Sequence, residues 1–318
     1  MKIYNLADRC AGAILGTAFG DALGAGVEGW SAADISHEYG DVRDYISSRM
    51  GTGFYTDDTQ MTLATARSLV RVGSVDGADC ASSCASAFDP DRGYGRSAVD
   101  ILNALANGTD YSESSTLLFP EGSYGNGAAM RIAPVGLLCG DIDKSVMRAT
   151  VFEAVRATHT HEEAIDGALI VAATVGKLSR LENSALLDGP AFLMDLAACC
   201  RTMEMRSRMM LAARMLDDEL SSDEVLSCLG NGVRTLESVP TALYTAMKFS
   251  ADPEQAVIAA VGYGGDADTI AAMTGAVVGA LNGADAFPPR WHAGLERGAD
   301  GYDALLHVSR QLSELIKC

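Results

Sequence analysis

Apolar residues recur every three or four positions along most of the chain, which is the spacing of α-helices that bury one face. In the first such segment, Leu6, Cys10, Ala13 and Ile14 fall near one side. The pattern returns in segments 61–70, 97–106, 145–155, 162–178, 221–233, 240–249, 253–263, 268–281 and 301–316. Many of these segments are rich in alanine and glycine, which lets helix axes approach closely. The pattern therefore predicts closely packed helices.

Strand signals are sparse by comparison. The stretch 41–47 is the best strand candidate, and no alternation of strands with helices supports a parallel sheet. Pro240 opens segment 240–249, which predicts a helix that begins there. No repeat, linker or low-complexity block divides the 318 residues, of which 48% are hydrophobic. We predict an all-α fold, a compact single-domain multi-helix bundle that covers residues 1–318.

Composition narrows the function classes. The formal net charge is -18, from 42 acidic and 24 basic residues, which argues against nucleic-acid binding and against docking on anionic lipid. The apolar run 10–20 lacks the basic flank of a signal peptide, and no uninterrupted apolar run reaches the roughly 20 residues that cross a membrane. The eight cysteines match neither a zinc site nor a disulfide framework. We therefore expect a cytoplasmic protein that does not enter membranes.

A polar cluster lies at 56–59, where Thr56, Asp57 and Asp58 precede an apolar helical segment. Thr56 is a fair N-cap, and carboxylates in a first turn interact favourably with the helix dipole. However, a cap needs only one side-chain acceptor, and neighbouring carboxylates repel each other. On this segment alone, capping and cation binding are equally good interpretations.

A similar cluster lies near the other end of the chain, where Asp266, Asp268 and Thr269 open a second apolar segment. The small residues that follow predict burial, and buried carboxylates need a partner or a metal ion. The two helix starts could face each other in one cleft and supply oxygen ligands alone. Such a set suits Mg²⁺ or Mn²⁺ better than zinc or copper.

Segment 16–30 is glycine-rich, with Asp21 and Glu28 embedded in it. Glycine provides backbone freedom and allows close approach of neighbouring chain segments. Taken alone, the segment is typical of a helix end that leads into a loop, and both acids would then be solvated.

A second glycine-rich segment, 123–127, precedes an apolar stretch. Its backbone amides could hold a diphosphate, and Tyr124 could stack on a base. A plain turn is the commoner interpretation of such a loop. Because no strand precedes it, it is not a dinucleotide-fold fingerprint.

Two histidines, His159 and His161, stand in an H-x-H arrangement that is also seen in metal sites. The residues after them are typical of a helix start that is capped near Thr160. We therefore favour His159 as a core or substrate-contacting residue over a metal ligand.

With these segments in this order, the chain resembles the ADP-ribosylglycohydrolase family. That family includes the dinitrogenase reductase-activating glycohydrolases and the ADP-ribosyl-acceptor hydrolases. The matching stretches run from about residue 12 to 297, and TDDT at 56–59 together with GGDADT at 264–269 is quite specific to the family. Ala267 stands where some relatives carry an acidic or hydroxyl residue, and we expect little effect on metal binding.

The resemblance implies two Mg²⁺ ions, or Mn²⁺ in some members, at the bottom of a cleft. By position, the implied metal ligands are Thr56, Asp57, Asp58, Asp266, Asp268 and Thr269. The implied substrate-binding residues are Ser123, Tyr124, Gly125, Asn126, Gly127, His159, Gly264 and Gly265. The implied catalytic carboxylates are Glu28, Asp57 and Asp58, with Glu28 slightly ahead as the general base.

The implied activity is hydrolysis of the C1″ glycosidic bond between ADP-ribose and a modified protein side chain, with arginine slightly favoured over serine. ADP-ribose and ADP-ribosylated protein are the implied partners. An alternative is hydrolysis of O-acetyl-ADP-ribose, poly-ADP-ribose or ADP-ribosylated nucleic acid. Another alternative is a non-catalytic ADP-ribose-binding or structural member of the fold. The intact set of implied metal ligands argues against this alternative. The oligomeric state stays open, with a monomer as the simplest expectation.

Overall fold

The computed structural model describes residues 5–140 and 142–317, which form sixteen α-helices and one two-stranded hairpin. The helices are α1 Leu6–Gly24, α2 Ala32–Glu38, α3 Asp57–Val72, α4 Gly77–Ala87, α5 Arg96–Ala106, α6 Ala133–Cys139, α7 Lys144–Val155, α8 Glu162–Leu178, α9 Gly189–Ala197, α10 Met203–Met215, α11 Ser222–Leu229, α12 Thr235–Lys248, α13 Pro253–Gly262, α14 Ala267–Asn282, α15 Pro289–Gly294 and α16 Tyr302–Lys317. The hairpin pairs β1 Ser47–Ser48 with β2 Gly51–Thr52 in antiparallel register. The all-α prediction is confirmed.

The strand predicted at 41–47 is wrong, because only Ser47 enters a strand. The preceding residues run beside α15 instead, where the indole nitrogen of Trp291 donates to the carbonyl oxygen of Arg43 at 2.8 Å. A side chain therefore satisfies this backbone group in place of a neighbouring strand.

The helix predicted to begin at Pro240 begins earlier, at Thr235, and contains the proline in its second turn. Its first turn is anchored from outside, since the backbone nitrogen of Thr235 donates to the carbonyl oxygen of Tyr124 at 3.1 Å. The hydroxyl of Thr235 donates to the same carbonyl at 2.9 Å. These contacts fix the start of α12 on the loop 123–127, so the proline does not set it.

Helices α1 and α14 form the central pair of the fold, and their contact surface is built from glycine. A Cβ added to Gly16 would stand 2.2 Å from the carbonyl oxygen of Gly275, and one added to Gly279 would stand 2.0 Å from that of Gly12. Side chains of any size would force the axes apart, because such distances lie well inside van der Waals contact. The pairing brings the end of α1 beside the start of α14, where a Cβ on Gly24 would lie 2.4 Å from the Cα of Asp268.

The start of α3 is fixed by a residue of α1 rather than by its own N-cap. Thr56 stands at the N-cap position but makes no side-chain capping bond. Instead, Asp21 accepts from the backbone nitrogen of Thr56 at 2.8 Å and from that of Thr59 at 2.9 Å. The hydroxyl of Thr59 adds a third bond to Asp21 at 2.6 Å. Asp21 therefore caps α3, and neither Asp57 nor Asp58 is needed for capping.

Candidate active site

A cavity of about 340 Å³ opens where the starts of α3 and α14 meet the glycine-rich loop 123–127. Predicted site residues that line it are Glu28, Asp57, Asp58, Ser123, Tyr124, Gly125, Asn126, Gly127, His159, Asp266, Asp268 and Thr269. The structure thus brings segments from both ends of the sequence and from its middle to one cavity. Two helix N-termini face its floor, and their dipoles favour negative charge there.

Three carboxylates form the deepest part of the site. Asp21, Asp58 and Asp268 each offer an oxygen within 4.8 Å of the others, and all three side chains are buried. The Oδ2 atom of Asp58 accepts from Thr56 Oγ1 at 3.2 Å and from Thr269 Oγ1 at 3.3 Å. Its other oxygen, Oδ1, is buried with no hydrogen-bond partner. Burial of a carboxylate oxygen without a hydrogen-bond partner costs free energy, and a cation bound at this position would offset that cost.

A second carboxylate group shares Asp268 with the first. Glu28, Asp266 and Asp268 also have ligand atoms within 4.8 Å of one another, with Glu28 exposed and the two aspartates buried. Asp266 accepts a hydrogen bond from the amide of Asn126, which also donates to Ser238 at 3.0 Å. The two acidic groups could hold metal ions, and their oxygen ligands are of the kind that hard divalent cations prefer.

Mutual repulsion and burial raise the pKa values of these carboxyls. Desolvation, followed by the charge of Asp21, raises the pKa of Asp57 to about 8. The same two causes raise the pKa of Asp58 well above its ordinary value, and desolvation followed by Asp266 does so for Asp268. Desolvation raises the pKa of Asp21 to about 6 against the opposing hydrogen bonds from Thr59 and Thr56. The cluster therefore resists carrying its full negative charge without a compensating cation.

The loop 123–127 is held in place by the start of α12. The backbone nitrogen of Asn126 donates to the carbonyl oxygen of Val233 at 3.0 Å, and the amide side chain reaches Asp266 as described. Tyr124 is 53% exposed at the rim, with the Arg234 guanidinium 5.3 Å from its ring centroid. The loop is therefore fixed at its inner end and presents an aromatic ring at its outer end.

His159 is buried in the wall of the cavity rather than placed among the carboxylates. Its Nδ1 atom lies 2.8 Å from the hydroxyl oxygen of Thr158. Desolvation, followed by the charge of Arg131, lowers the pKa of His159 to about 3, so the imidazole is neutral. The helix after it begins next to Thr160 as predicted, and His161 is its N-cap, because the His161 ring accepts from the backbone nitrogen of Glu163.

Three predicted residues do not line the cavity. Thr56 is buried behind it and contacts it through Asp58. Gly264 and Gly265, both with positive φ, pair with the segment after α1: the nitrogen of Gly265 donates to Trp30 at 2.8 Å. A Cβ on Gly264 would lie 2.4 Å from the same carbonyl oxygen of Trp30. These glycines allow the backbones to meet, and their contact with substrate stays a prediction.

Among the described residues, two charged residues of the site were not among those predicted. Asp21 was expected to be solvated, and it is fully buried in the carboxylate cluster. The four-residue glycine spacing in α1 could have indicated that its helix is buried in close packing. Arg131 lines the cavity and is only 3% exposed, although it was not singled out in the sequence.

Comparisons with known proteins agree with this arrangement. A family model described as ADP-ribosylglycohydrolase matches residues 3–317. The ADP-ribosylhydrolase ARH3 of Mus musculus is 32% identical, and the alignment covers 91% of this chain and 87% of that protein. The ARH3 of Homo sapiens is 31% identical, with 93% and 90% covered. A solved structure named ADP-ribosylglycohydrolase-related protein complex superposes with a TM-score of 0.76, at 25% identity over 98% of each chain.

The chain belongs to the ADP-ribosylglycohydrolase family, whose members are glycosyl hydrolases. The predicted family membership and enzyme class are therefore confirmed. Within the described residues, no helix is both long and apolar enough to cross a lipid bilayer.

Proposed function

We propose that this protein hydrolyses the C1″ glycosidic bond of ADP-ribose attached to a protein side chain, with the whole chain acting as one domain. The observation that carries the proposal is the placement of the carboxylate cluster beside the anchored loop 123–127 in one cavity. Such a cavity offers an acidic floor for a ribose and backbone groups for a diphosphate. The described cavity residues favour neither a guanidinium nor a hydroxyl leaving group, so the proposal covers arginine-linked and serine-linked substrates.

We further propose that the cluster holds two Mg²⁺ ions, with Mn²⁺ as an acceptable substitute. The unpartnered Oδ1 of Asp58 and the all-oxygen donor set fit such ions. Two acidic groups that share Asp268 fit two ions better than one. The proposed ligands are Thr56, Asp57, Asp58, Asp266, Asp268 and Thr269, and Asp21 and Glu28 lie within the same groups. When bound, such ions neutralise charge and polarise the ribose hydroxyls.

The side chains around the cavity floor have different roles in the proposed reaction. Glu28 is exposed to the cavity and accepts no hydrogen bond from the described residues, so its carboxylate is free to take a proton from an attacking water. Asp58 is committed to Thr56 and Thr269 and lies deeper, which makes it a poorer base. The surrounding carboxylates stabilise the positive charge that develops on the ribose ring as the glycosidic bond breaks.

The upper wall of the cavity binds the rest of the ligand. The loop 123–127 faces the diphosphate and proximal ribose, and Tyr124 offers its exposed ring to the base. His159 presents a neutral ring edge to the same region. Because Asn126 also contacts Asp266, the position of the loop is linked to the acidic floor.

Calorimetric titration with ADP-ribose, in Mg²⁺ and in chelator, tests the proposal directly. We expect binding in Mg²⁺ and its loss in chelator. Absence of metal-dependent binding would overturn the proposed function. Incubation with arginine-, serine- and ester-linked ADP-ribosyl substrates in parallel then ranks the linkages, and turnover of the ester alone would reassign the substrate class.

A further inference from the structure

Among the residues that the structure describes, the buried cation Arg131 has no anionic partner. It is 3% exposed, and within the described residues its guanidinium contacts Thr158 Oγ1 at 2.6 Å and Met61 Sδ at 3.5 Å, with no carboxylate in range. Burial of a charge without a counter-charge costs free energy. Arg131 lines the cavity instead of forming a structural ion pair. This placement therefore indicates a functional role for Arg131 at the site.

Thr158 connects this guanidinium to the imidazole of His159. A guanidinium can only donate, so Thr158 Oγ1 accepts from Arg131. The hydroxyl has one hydrogen, and its two possible acceptors are His159 Nδ1 at 2.8 Å and the carbonyl oxygen of Val155 at 3.2 Å. The shorter contact favours donation to Nδ1, which leaves the proton of the neutral ring on Nε2.

The charge of Arg131 also favours the tautomer of His159 that is protonated on Nε2. A proton on Nδ1 would direct the positive end of an N–H dipole towards the oxygen that already accepts from the Arg131 guanidinium. A lone pair on Nδ1 instead faces the positive side of the chain of hydrogen bonds, which is the favourable orientation. The nearby charge also disfavours a doubly protonated ring, which agrees with the lowered pKa of His159.

The other edge of the ring faces the loop. A Cβ on Gly127 would stand 2.9 Å from His159 Cε1 and 3.3 Å from Nε2, and one on Gly125 would stand 3.8 Å from Nε2. Gly127 therefore leaves room for the ring at the cavity wall, and Gly125 lies at ordinary contact distance from Nε2. A hydrogen on Nε2 would be presented to an acceptor oxygen of whatever ligand lies against this loop.

We propose that Arg131 is a positioning residue that acts through Thr158 to hold His159 as a neutral Nε2–H donor for an oxygen atom of the bound ligand. The chain of contacts from Arg131 through Thr158 to His159 carries this inference. It rests on the proposed function only for the nature of the ligand, an ADP-ribosyl compound.

Nitrogen-15 NMR of the full chain labelled at histidine tests the tautomer without any ligand. Comparison with His159→Gln assigns the signal among the five histidines. We expect the His159 signal at neutral pH to show Nδ1 bare and Nε2 protonated. Thr158→Val keeps the shape of the side chain but removes the hydroxyl, so the tautomer of His159 that is protonated on Nδ1 should become populated. Thr158→Ser should retain the wild-type signal. A wild-type ring protonated on Nδ1, or a Thr158→Val spectrum like wild type, would overturn the proposal.

Arg131 is tested by the pair Arg131→Met and Arg131→Lys. Methionine removes the donor and the charge, so the Nδ1-protonated form should become populated, and lysine should restore the wild-type signal in part. If the methionine variant does not fold, the two Thr158 variants still decide the question. An Arg131→Met protein that folds and keeps the wild-type tautomer counts against the role of Arg131.

Binding of ADP-ribose in Mg²⁺ supplies the functional readout. We expect Thr158→Val to weaken affinity about tenfold, the effect of one hydrogen bond worth about 1.4 kcal/mol, and Thr158→Ser to stay near wild type. Equal affinities for both variants and wild type would contradict the proposed donor. Failure of the wild type to bind ADP-ribose would instead overturn the proposed function, while the tautomer measurement would still judge the inference.

Discussion

Gly16 and Gly275 meet backbone to backbone: a Cβ on either residue would stand 2.2 Å or less from the carbonyl oxygen of the other. This contact sets the distance between α1 and α14. It also brings Asp21, on α1, into the group that contains Asp268, on α14. The geometry of the carboxylate cluster thus depends on residues that carry no functional group.

Gly275→Ala should therefore destabilise the protein by about 1–3 kcal/mol, the usual effect of overpacking a filled core. Gly262→Ala is the matched control, because a Cβ there meets nothing within 4 Å and the residue lies in helix α13. Urea unfolding of both variants measures the difference. Equal midpoints for the two variants would contradict the close packing of α1 on α14.

Asp21→Asn should weaken the start of α3. Both carboxylate oxygens of Asp21 accept hydrogen bonds, and an asparagine would turn an NH₂ group towards one set of donors. We expect a loss of about 1–2 kcal/mol in Mg²⁺, as for a lost cap with an unsatisfied donor. Asp76→Asn is the control, since Asp76 caps α4 with one oxygen and asparagine caps equally well. Similar unfolding free energies for both variants would argue against the double capping role.

Asp57→Ala or Asp268→Ala should abolish turnover and leave the fold intact. Each removes a carboxylate from the cavity floor, and each also relieves repulsion among the remaining ones. Asp91→Ala is a suitable control, because Asp91 is exposed and close in sequence to the cavity-lining Gly93. Circular dichroism verifies the fold, and release of ADP-ribose from a modified protein measures activity. Near-normal activity in either cluster variant would count against the two-ion site.

The metal-free protein should lose stability as the pH rises from about 4 to about 8. The folded-state pKa values of Asp57, Asp21 and Asp266 are raised to about 8, 6 and 6. A carboxyl with a raised folded-state pKa holds its proton more tightly when folded, so its stabilisation is complete below the unfolded pKa of about 4 and is lost as the pH rises through the folded value. Thermal unfolding in chelator across this range measures the trend.

Addition of Mg²⁺ should then raise Tm more at about pH 8 than at about pH 5, since the cation compensates the charge that the rise in pH exposes. Asp57→Asn removes one of the shifted groups and should flatten the metal-free pH dependence. A metal-free Tm that stays constant or increases over this range would show that the carboxyls are not crowded as described.

Tyr124→Ala should reduce affinity for ADP-ribose without loss of stability. The ring is 53% exposed, so little folding energy depends on it, and stacking on a base contributes about 1–3 kcal/mol, or roughly 5–150-fold in affinity. Tyr39→Ala, at a tyrosine that is 41% exposed and does not line the cavity, is the control. Unchanged affinity in Tyr124→Ala would remove this residue from the proposed base-binding surface.

The sequence predicts the helical fold well, because apolar periodicity reflects burial that is local to each helix. It also predicts the acidic floor, since carboxylates at two helix starts are surplus to capping. Asp21 was misjudged because its partners, the backbone nitrogens of Thr56 and Thr59, are tertiary contacts that no local pattern contains. The start of α12 was misplaced for the same reason, as its first turn is held by the carbonyl oxygen of Tyr124.

The hydrogen bond from Thr269 to Asp58 joins residues 211 positions apart. During synthesis, the carboxylates of α3 therefore emerge long before their counterparts on α14 exist. Repulsion between the carboxylates of α3 and those of α14 arises only when the two helix starts meet, so this part of the electrostatic cost belongs to the docking of α14. A divalent cation bound at the proposed site would therefore stabilise the docked arrangement of α3 and α14.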